Sequence, residues 1–423
     1  MRDRPGAAPV PRAALDKVPP TVLRVAASTL SRGAGAVSRA LGRGDGAVIG
    51  GRLLSQWPGA ARRLAGGRQV VLVSGTNGKT TTTLMLARAL GTGGPVATNA
   101  TGANTPPGIL SALARSRAWS VVLECDEAWL PWCVEQTHPE VVVLLNLSRD
   151  QLDRHHEVTG LARRWRAALS GVGLAVANAD DPNVVWAAGG AQRQVWVSGH
   201  AGWTDDSTVC PHCGSLLVRE EPEWSCQCGL HRPTPDWSVA EGTVQPPSGN
   251  PIRLQLALPG QVNQDNATTA IAAAAALGVD VATAAGSFAQ VDAIAGRYSV
   301  HRSGDHRVRL LLAKNPAGWA QALAVSAAGG ASVAVAVNAN GVDGRDPSWL
   351  WDVSYTSLRG RPVVVCGDRA LDAAVRLEVD EVDVLTISPA IASAVGRLPP
   401  GDVDLIGTYS AFSQARQEFA RGH

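Results

Sequence analysis

Lysine is nearly absent from this chain of 423 residues. Lys17, Lys79 and Lys314 are the only three among 38 lysines and arginines. Such a skew reads as a drift that turned ordinary surface lysines into arginines. A lysine kept against that drift points to work that a planar guanidinium does poorly, such as acting as a compact charge on a phosphate. Strong net charge is also missing. A formal +2 and a pI near 8.2 leave no basic surface of the kind nucleic acid selects. The apolar runs are short, none near the ~18–20 residues of a membrane span. Residues 1–20 are rich in Pro, Arg and Ala with no apolar core, so they read as a disordered arm rather than a secretory leader. Seven cysteines, four of them clustered, suit a reducing cytoplasm better than a disulfide framework.

What is present centres on Val70 to Leu86. An apolar run ends in Ser74-Gly75, a tight polar turn follows, and Lys79-Thr80-Thr81 opens an amphipathic segment. Strand, glycine-rich loop and helix in that order make an anion cradle, because the helix N-terminus points its free N–H groups at the bound group. Lys79 then reaches the outer phosphates, and Thr80 or Thr81 offers a hydroxyl to Mg²⁺. A general phosphate-loop pattern wants a further glycine where this chain has Val73.

Along the chain, short continuous apolar runs alternate with helical segments. Strands are expected near 70–74, 95–98, 120–124, 141–146 and 173–177, and again near 307–313, 332–337, 362–366, 382–387 and 403–406. Runs of this kind belong to parallel sheets covered on both faces, so two α/β domains follow. An alanine-rich helix spans Ala267 to Leu277, and a hinge is expected at Ile294 to Arg297. Thr21 to Leu41 reads as a weak amphipathic helix, followed by a glycine-rich linker from Gly42 to Gly51. The implied division is an arm over 1–45, an ATPase domain over 46–296 with an insertion at 203–235, and a second α/β domain over 297–423.

The insertion breaks the α/β rhythm. Cys210-x-x-Cys213-Gly and Cys226-x-Cys228-Gly are two cysteine pairs about a dozen residues apart, the spacing of a structural four-thiolate Zn²⁺ ribbon. Glycines after Cys213 and Cys228 allow the tight turns such knuckles need. His212 and His231 are the alternative ligands.

Polar residues gather at the strand ends. Glu124 closes one strand and is placed to hold Mg²⁺ together with Thr80, while Asp126 and Glu127 fit either that role or helix capping. Asn146 to Glu157, with Arg149-Asp150-Gln151-Leu152-Asp153 inside it, reads as a loop over a nucleotide, and Asn178 to Pro182 closes another strand. Asn263 and Asn266 open the alanine-rich helix, and their amides suit an adenine edge. Capping is the other reading, with Asp265 available for it. Arg297 stands at the domain junction, where it could reach a phosphate on closure. Cys366 is the only local lookalike of a nucleophile, but it lacks the glycine of a strand-to-helix elbow and reads as a strand-end cysteine.

Taken in order, these motifs resemble the Mur ligase superfamily, and within it the MurT branch, which forms one subunit of lipid II isoglutaminyl synthase. The matching pieces are Gly75-Thr76-Asn77-Gly78-Lys79-Thr80-Thr81, Glu124 to Glu127, Asn146 to Glu157, Asn178 to Pro182, the four cysteines, Gly296-Arg297-Tyr298, Leu312 to Gly318 and Asn340 to Asp352. Gln151 stands where ordinary relatives carry His. No lysine lies between Lys79 and Lys314, so the metal-bridging carbamylated lysine of many relatives is excluded from the central domain. Only about 45 residues precede the ATPase, so no separate nucleotide-sugar-binding domain is expected.

The resemblance implies an ATP-dependent ligase of peptidoglycan synthesis that amidates the α-carboxyl of D-glutamate in the lipid II stem, through an acyl phosphate. It implies ATP, Mg²⁺ and Zn²⁺, with Lys314 and Arg297 as candidates to stabilise the tetrahedral intermediate. It further implies a partner, a GatD-type class I glutamine amidotransferase, whose Cys and His are completed by Asp346 of this chain, with Asp343 and Asp352 as fallbacks. Trp349 and Trp351 would then suit a partner interface or the core. The expected place is the cytoplasm or the inner membrane face, near lipid II. Two rivals are a stand-alone amino-acid-adding ligase of Mur or folylpolyglutamate type and a non-catalytic ATP-binding adaptor with a zinc ribbon.

Overall fold

A computed structural model describes residue 29 and residues 49–421, except 100–101, 151–157, 199–202, 290, 292–297, 330–331 and 341–342. The expected hinge, Arg297, Asp153 and nearly all of the Thr21–Leu41 helix lie outside these residues.

Six strands form the first sheet: β1 (Gln69–Ser74), β2 (Val96–Thr98), β3 (Ser120–Glu124), β4 (Val141–Leu144), β5 (Leu174–Asn178) and β6 (Arg193–Val197). All neighbours are parallel, in the order β2-β3-β1-β4-β5-β6. The sequence of β1 shows why it reads as a continuous apolar run. Val70 and Leu72 face one core, Val71 and Val73 the other, and all four are buried. Helices Lys79–Gly91 and Gln261–Ala276 cover the second face, and helices Pro106–Arg115, Leu130–Thr137, Val158–Ala168 and Pro182–Ala188 cover the first. The alanines of Gln261–Ala276 are small enough to bring that helix close against Lys79–Gly91, so that Thr82 and Asn266 hydrogen-bond between them.

The insertion carries the hairpin β7 (Val218–Glu220) and β8 (Glu223–Ser225), and a three-stranded antiparallel sheet follows from β9 (Ser238–Ala240), β10 (Thr243–Gln245) and β11 (Ile252–Arg253). A second large sheet contains β12 (Tyr298–Ser303), β13 (His306–Leu312), β14 (Ser332–Ala336), β15 (Val363–Cys366), β16 (Val384–Ser388) and β17 (Gly401–Gly407). Its order is β12-β13-β17-β14-β15-β16, parallel except for the β12–β13 hairpin. This sheet also has a core on each face. Arg309 on β13 donates to both carboxylate oxygens of the buried Asp404 on β17, at 2.7 and 2.9 Å.

This is the expected two-part α/β architecture, a parallel sheet followed by a Rossmann-like one, with the ten expected strands in place. Strands β6 and β12 and the short antiparallel pieces were not foreseen. In the first sheet β1 lies between β3 and β4, so the connections diverge beside it and leave a crevice at the strands' carboxyl ends. The second sheet closes that crevice. Gly260 (φ +90°) marks the approach: a Cβ there would lie 2.4 Å from Val325 Cγ2, on the helix Pro316–Ala327 that follows β13.

Candidate active site

The loop after β1 wraps as its glycines require. Gly75 passes so close to β4's exit that a Cβ would meet Leu145 Cβ at 2.8 Å, and Gly78 (φ +85°) would put one 2.4 Å from Asn266 Oδ1. The loop is pinned to the polar stretch after β4. Thr76 N donates to Asn146 O at 2.9 Å, Asn77 N donates to Asn146 Oδ1 at 2.9 Å, and Asn146 Nδ2 returns a bond to Asn77 O at 3.1 Å. Ser148 N donates to Thr76 Oγ1 at 3.0 Å.

Gly78 ends the turn, and Lys79 begins the helix with its side chain folded inward, 3 % exposed. Its Nζ donates to the carbonyls of Gly75 and Thr76 and to Glu127 Oε2, the last at 3.0 Å. Burial works against the ammonium, but Glu127, then Glu124 and Asp150, hold its pKa above the ordinary lysine value. Burial likewise works against the Glu127 carboxylate, yet Lys79 and Lys314 bring its pKa below the usual range. Glu127 is therefore a buried counter-ion of the loop lysine, and the capping alternative falls. Asp126 makes the local turn instead, accepting from Ala128 N at 3.0 Å.

Thr80 Oγ1 donates to Glu124 Oε2 at 2.7 Å, and Asn104 Nδ2 donates to Glu124 Oε1 at 3.2 Å. Asn99 fixes the same strand end, accepting from Glu124 N and donating to Glu124 O, both at 2.8 Å. A hydroxyl and a carboxylate converging in this way form a hard oxygen donor set that fits Mg²⁺. Asn99 and Asn104 were not singled out from sequence. Their one signal is the Asn-, Thr- and Gly-rich stretch that follows β2.

Across the crevice, Lys314 at the end of β13 pairs with Asp150. Asn77 and Asn315 exchange side-chain amide bonds at 3.3 and 3.4 Å. Charges of alternating sign from both halves thus meet at one place: Lys79, Glu124, Glu127, Asp150 and Lys314. Asn263 and Asn266 line a cavity with Tyr298, Leu311 and Lys314. Asn263 Nδ2 donates to Pro259 O at 2.6 Å, and Asn266 Oδ1 accepts from Thr82 Oγ1 at 3.2 Å. Asp265 does not cap the helix. It accepts from Gln261 Nε2 at 2.8 Å, and burial pushes its pKa up to about 8. The capping acid in this region is Asp181, which accepts from Asn183 N, Val184 N and Leu147 N at 2.7–3.2 Å.

The three aspartates of the 343–352 segment differ in their partners. Asp343 accepts from Ser410 N and Oγ, tying it to the last helix. Asp352 pairs with Arg149 Nη1 at 3.3 Å. Asp346 is exposed and accepts from Ser348 N and Oγ, both at 2.9 Å, which hold its pKa low. It shares a cleft with Lys314. Trp349 packs into the core against Trp319, whereas Trp351 is 56 % exposed with Arg376 over its ring. Cys366 is buried at the end of β15, where burial pushes its thiol up to about 12.

In the insertion, the sulfurs of Cys210, Cys213, Cys226 and Cys228 all lie within 4.8 Å of one another, with Cys210–Cys228 at 3.6 Å and Cys213–Cys226 at 3.4 Å. Tetrahedral thiolates about 2.3 Å from a zinc stand roughly 3.8 Å apart, so the set fits a metal. Gly214 (φ +77°) and Gly229 (φ +90°) make the two knuckle turns. Neither histidine joins the cluster: His212 stacks on Trp186, and His231 Nδ1 meets Gly229 O at 2.8 Å.

Two family profiles match in tandem, the Mur ligase middle domain over residues 73–274 and the MurT ligase C-terminal domain over 312–412. The chain is 29 % identical over 341 residues to the lipid II isoglutaminyl synthase (glutamine-hydrolyzing) subunit MurT of Staphylococcus aureus, covering 74 % of this chain and 78 % of that one. It is 29 % identical over 348 residues to the Streptococcus pneumoniae subunit of the same name, covering 74 % and 77 %. In fold it is similar to a pseudomurein peptide ligase type C from Methanothermus fervidus (TM-score 0.68, 20 % identity, 84 % of this chain and 79 % of that one). It is similar too to the MurF ligase of Thermotoga maritima, solved in complex with ADP (TM-score 0.61, 18 % identity, 88 % and 84 %). With both profiles falling on the two halves that meet at Lys79 and Lys314, the chain is similar to the Mur ligase family across both halves and, in its C-terminal domain, to the MurT branch of it.

Proposed function

We propose that this chain is the ATP-consuming subunit of a lipid II isoglutaminyl synthase, amidating the D-glutamate α-carboxyl of the lipid II stem in peptidoglycan synthesis. The observation that carries the reading is the crevice where Lys79 and the Thr80–Glu124 pair face Lys314 across two α/β halves, in a chain similar over 74 % of its length to MurT subunits. The domain division is the one read from sequence: an ATPase unit over 46–296 with its insertion at 203–235, and a partner-binding unit over 297–423, preceded by an arm over 1–45.

Gly75 to Thr81 cradle the ATP phosphates, with Lys79 on the outer ones. Thr80 and Glu124 would hold Mg²⁺, which would supply charge neutralisation at the phosphates. Asn263 and Asn266 flank the nucleotide. A carboxylate is a poor electrophile, so its oxygen attacks the γ-phosphorus, ADP leaves, and an acyl phosphate forms. Ammonia then attacks the acyl carbon, inorganic phosphate departs and a proton is lost. Lys314 and Arg297 stabilise the oxyanion of the tetrahedral intermediate. Cys210, Cys213, Cys226 and Cys228 would hold Zn²⁺ in a structural role.

Ammonia comes from a partner. Cys366 is buried with its thiol held protonated, the opposite of an activated nucleophile. A GatD-type class I amidotransferase supplies Cys and His, and the exposed Asp346 completes the triad. The complex works on the cytoplasmic side, where lipid II presents its stem at the membrane face.

The test is reconstitution with such a partner, glutamine, ATP and lipid II, following isoglutamine by mass spectrometry. Asp346→Asn is expected to abolish glutamine-driven amidation while free ammonia still serves. Glutamine hydrolysis by this chain alone, or transfer of an amino acid in place of ammonia, would overturn the reading.

A further inference from the structure

The insertion does more than hold its cysteines. Its first residues reach the rim of the nucleotide crevice: Trp203, Asp206 and Ser207 line a cavity together with Asn77, Asn146 and Asp181. Asp206 is at the centre. Its carboxylate, 3 % exposed, accepts from Arg149 N at 2.9 Å and from Trp203 Nε1 at 2.7 Å, and it pairs with Arg149 Nε. The other arm of the same guanidinium, Nη1, meets Asp352 Oδ2 at 3.3 Å. Arg149 thus stands between two carboxylates, one from the insertion and one from the segment that carries Asp346.

The insertion's end of this link is itself braced. Arg219 on β7 donates to Ser207 O at 2.7 Å and to Ser207 Oγ at 2.6 Å, next to Asp206. The partner strand β8 runs directly into Cys226, and Cys210 lies four residues beyond Asp206. At its far side the insertion is anchored on the loop after β5. Arg232 Nε donates to Asp180 Oδ1 at 2.8 Å, and Trp224 Nε1 donates to Ala179 O at 3.3 Å. A cysteine knuckle, a hairpin and two buried anchors form a rigid block from which Asp206 projects.

We propose that the four-cysteine insertion acts through Asp206 to hold Arg149 as a positioning residue, bridging the nucleotide crevice to the 343–352 segment. Arg149 suits this because its planar fork offers separate donors to two carboxylates at once, which a lysine does not. The role in amidation rests on the function proposed above. The bridge itself is a property of nucleotide binding and can be read without amidation.

A double-mutant cycle tests it. Asp206→Asn and Asp352→Asn touch different ends of Arg149, and the structure gives them no contact with each other. If Arg149 links them, each single variant raises the KM for ATP in glutamine-driven amidation several-fold, and the double variant is no worse than the stronger single one. The same non-additivity should appear in the affinity for a fluorescent ATP analogue, measured on the chain alone, and Arg149→Lys should restore neither end. Each variant's thermal melt shows whether it folds. Should Asp206→Asn fail to fold, Trp203→Phe, which removes one donor to Asp206, replaces it in the cycle. Effects that multiply independently, in the KM and in analogue affinity, overturn the bridge. A non-additive cycle in analogue affinity with no amidation by wild type would sink the proposed reaction and leave the bridge standing.

Discussion

The Lys79–Glu127 pair gives the sharpest prediction, because both side chains are almost fully removed from water, at 3 % and 9 % exposure. Replacing Glu127 by Met leaves a buried ammonium without its paired carboxylate. Breaking one side of a buried pair costs about 3–5 kcal/mol, a large part of the ~5–15 kcal/mol that holds a domain together. Lys79→Met should cost a similar amount, since it strands the Glu127 carboxylate. The double variant Lys79→Met/Glu127→Met removes both charges and should stand within about 1–2 kcal/mol of wild type, because matched apolar replacements of buried pairs are often near neutral. Urea unfolding followed by circular dichroism measures all four proteins, with little sensitivity to salt because a buried pair is poorly screened. The pH dependence has a defined sign. Glu127 titrates lower in the folded chain than its ordinary value near 4.3, so its stabilisation is present above that value and is lost as pH falls. Glu127→Met should therefore flatten the stability curve on the acid side. A double variant as unstable as the sum of the singles would refute the pairing.

Gly78→Ala should lower nucleotide affinity at least about tenfold, or ~1.4 kcal/mol, in an isothermal titration, because its Cβ would drive Asn266 off Thr82. Gly59→Ala is the control: its φ of +72° carries the backbone cost, but nothing lies within 4 Å, so affinity should not change. Cys213→Ser should remove bound metal, read by elemental analysis, and lower the melting temperature; metal retained at the wild-type level would discard the four-thiolate site. Asp404→Ala, which strands Arg309 between β13 and β17, should destabilise the second sheet by about 3 kcal/mol, measured by urea unfolding.

Much of the fold could be read from sequence because parallel strands buried on both faces leave unbroken apolar runs, as in Val70 to Ser74 and Val363 to Cys366. Strand β12 (Tyr298–Ser303) escaped because it is an edge strand of alternating exposure, and its residues look like a polar junction. Strand β6 has a neighbouring strand on one side only, with an isolated Val197–Trp237 bridge on the other, and opens on Arg193 and Gln194. The cysteine cluster was readable because metal ligation fixes spacing. The site was readable where chemistry is local, in the loop from Gly75 to Thr81. It was unreadable where a partner arrives from far away. Nothing around Glu127 announces a lysine 48 positions earlier, and nothing around Asn77 announces Asn315. Asp206 belongs to the same class: in sequence it is one acid before a cysteine motif, and only the fold sets it against Arg149. Trp349 and Trp351 show the limit from the other side, since neighbouring tryptophans of one segment divide between core and surface.

The reciprocal amide pair of Asn77 and Asn315 has a consequence for how the two halves communicate. Asn77 belongs to the glycine-flanked turn after β1, and Asn315 caps the helix Pro316–Ala327 by accepting from Gly318 N at 2.8 Å. Swinging the C-terminal half outward by even an ångström or two parts those amides and frees the tip of the turn. The shape of that turn is thus a joint product of both halves.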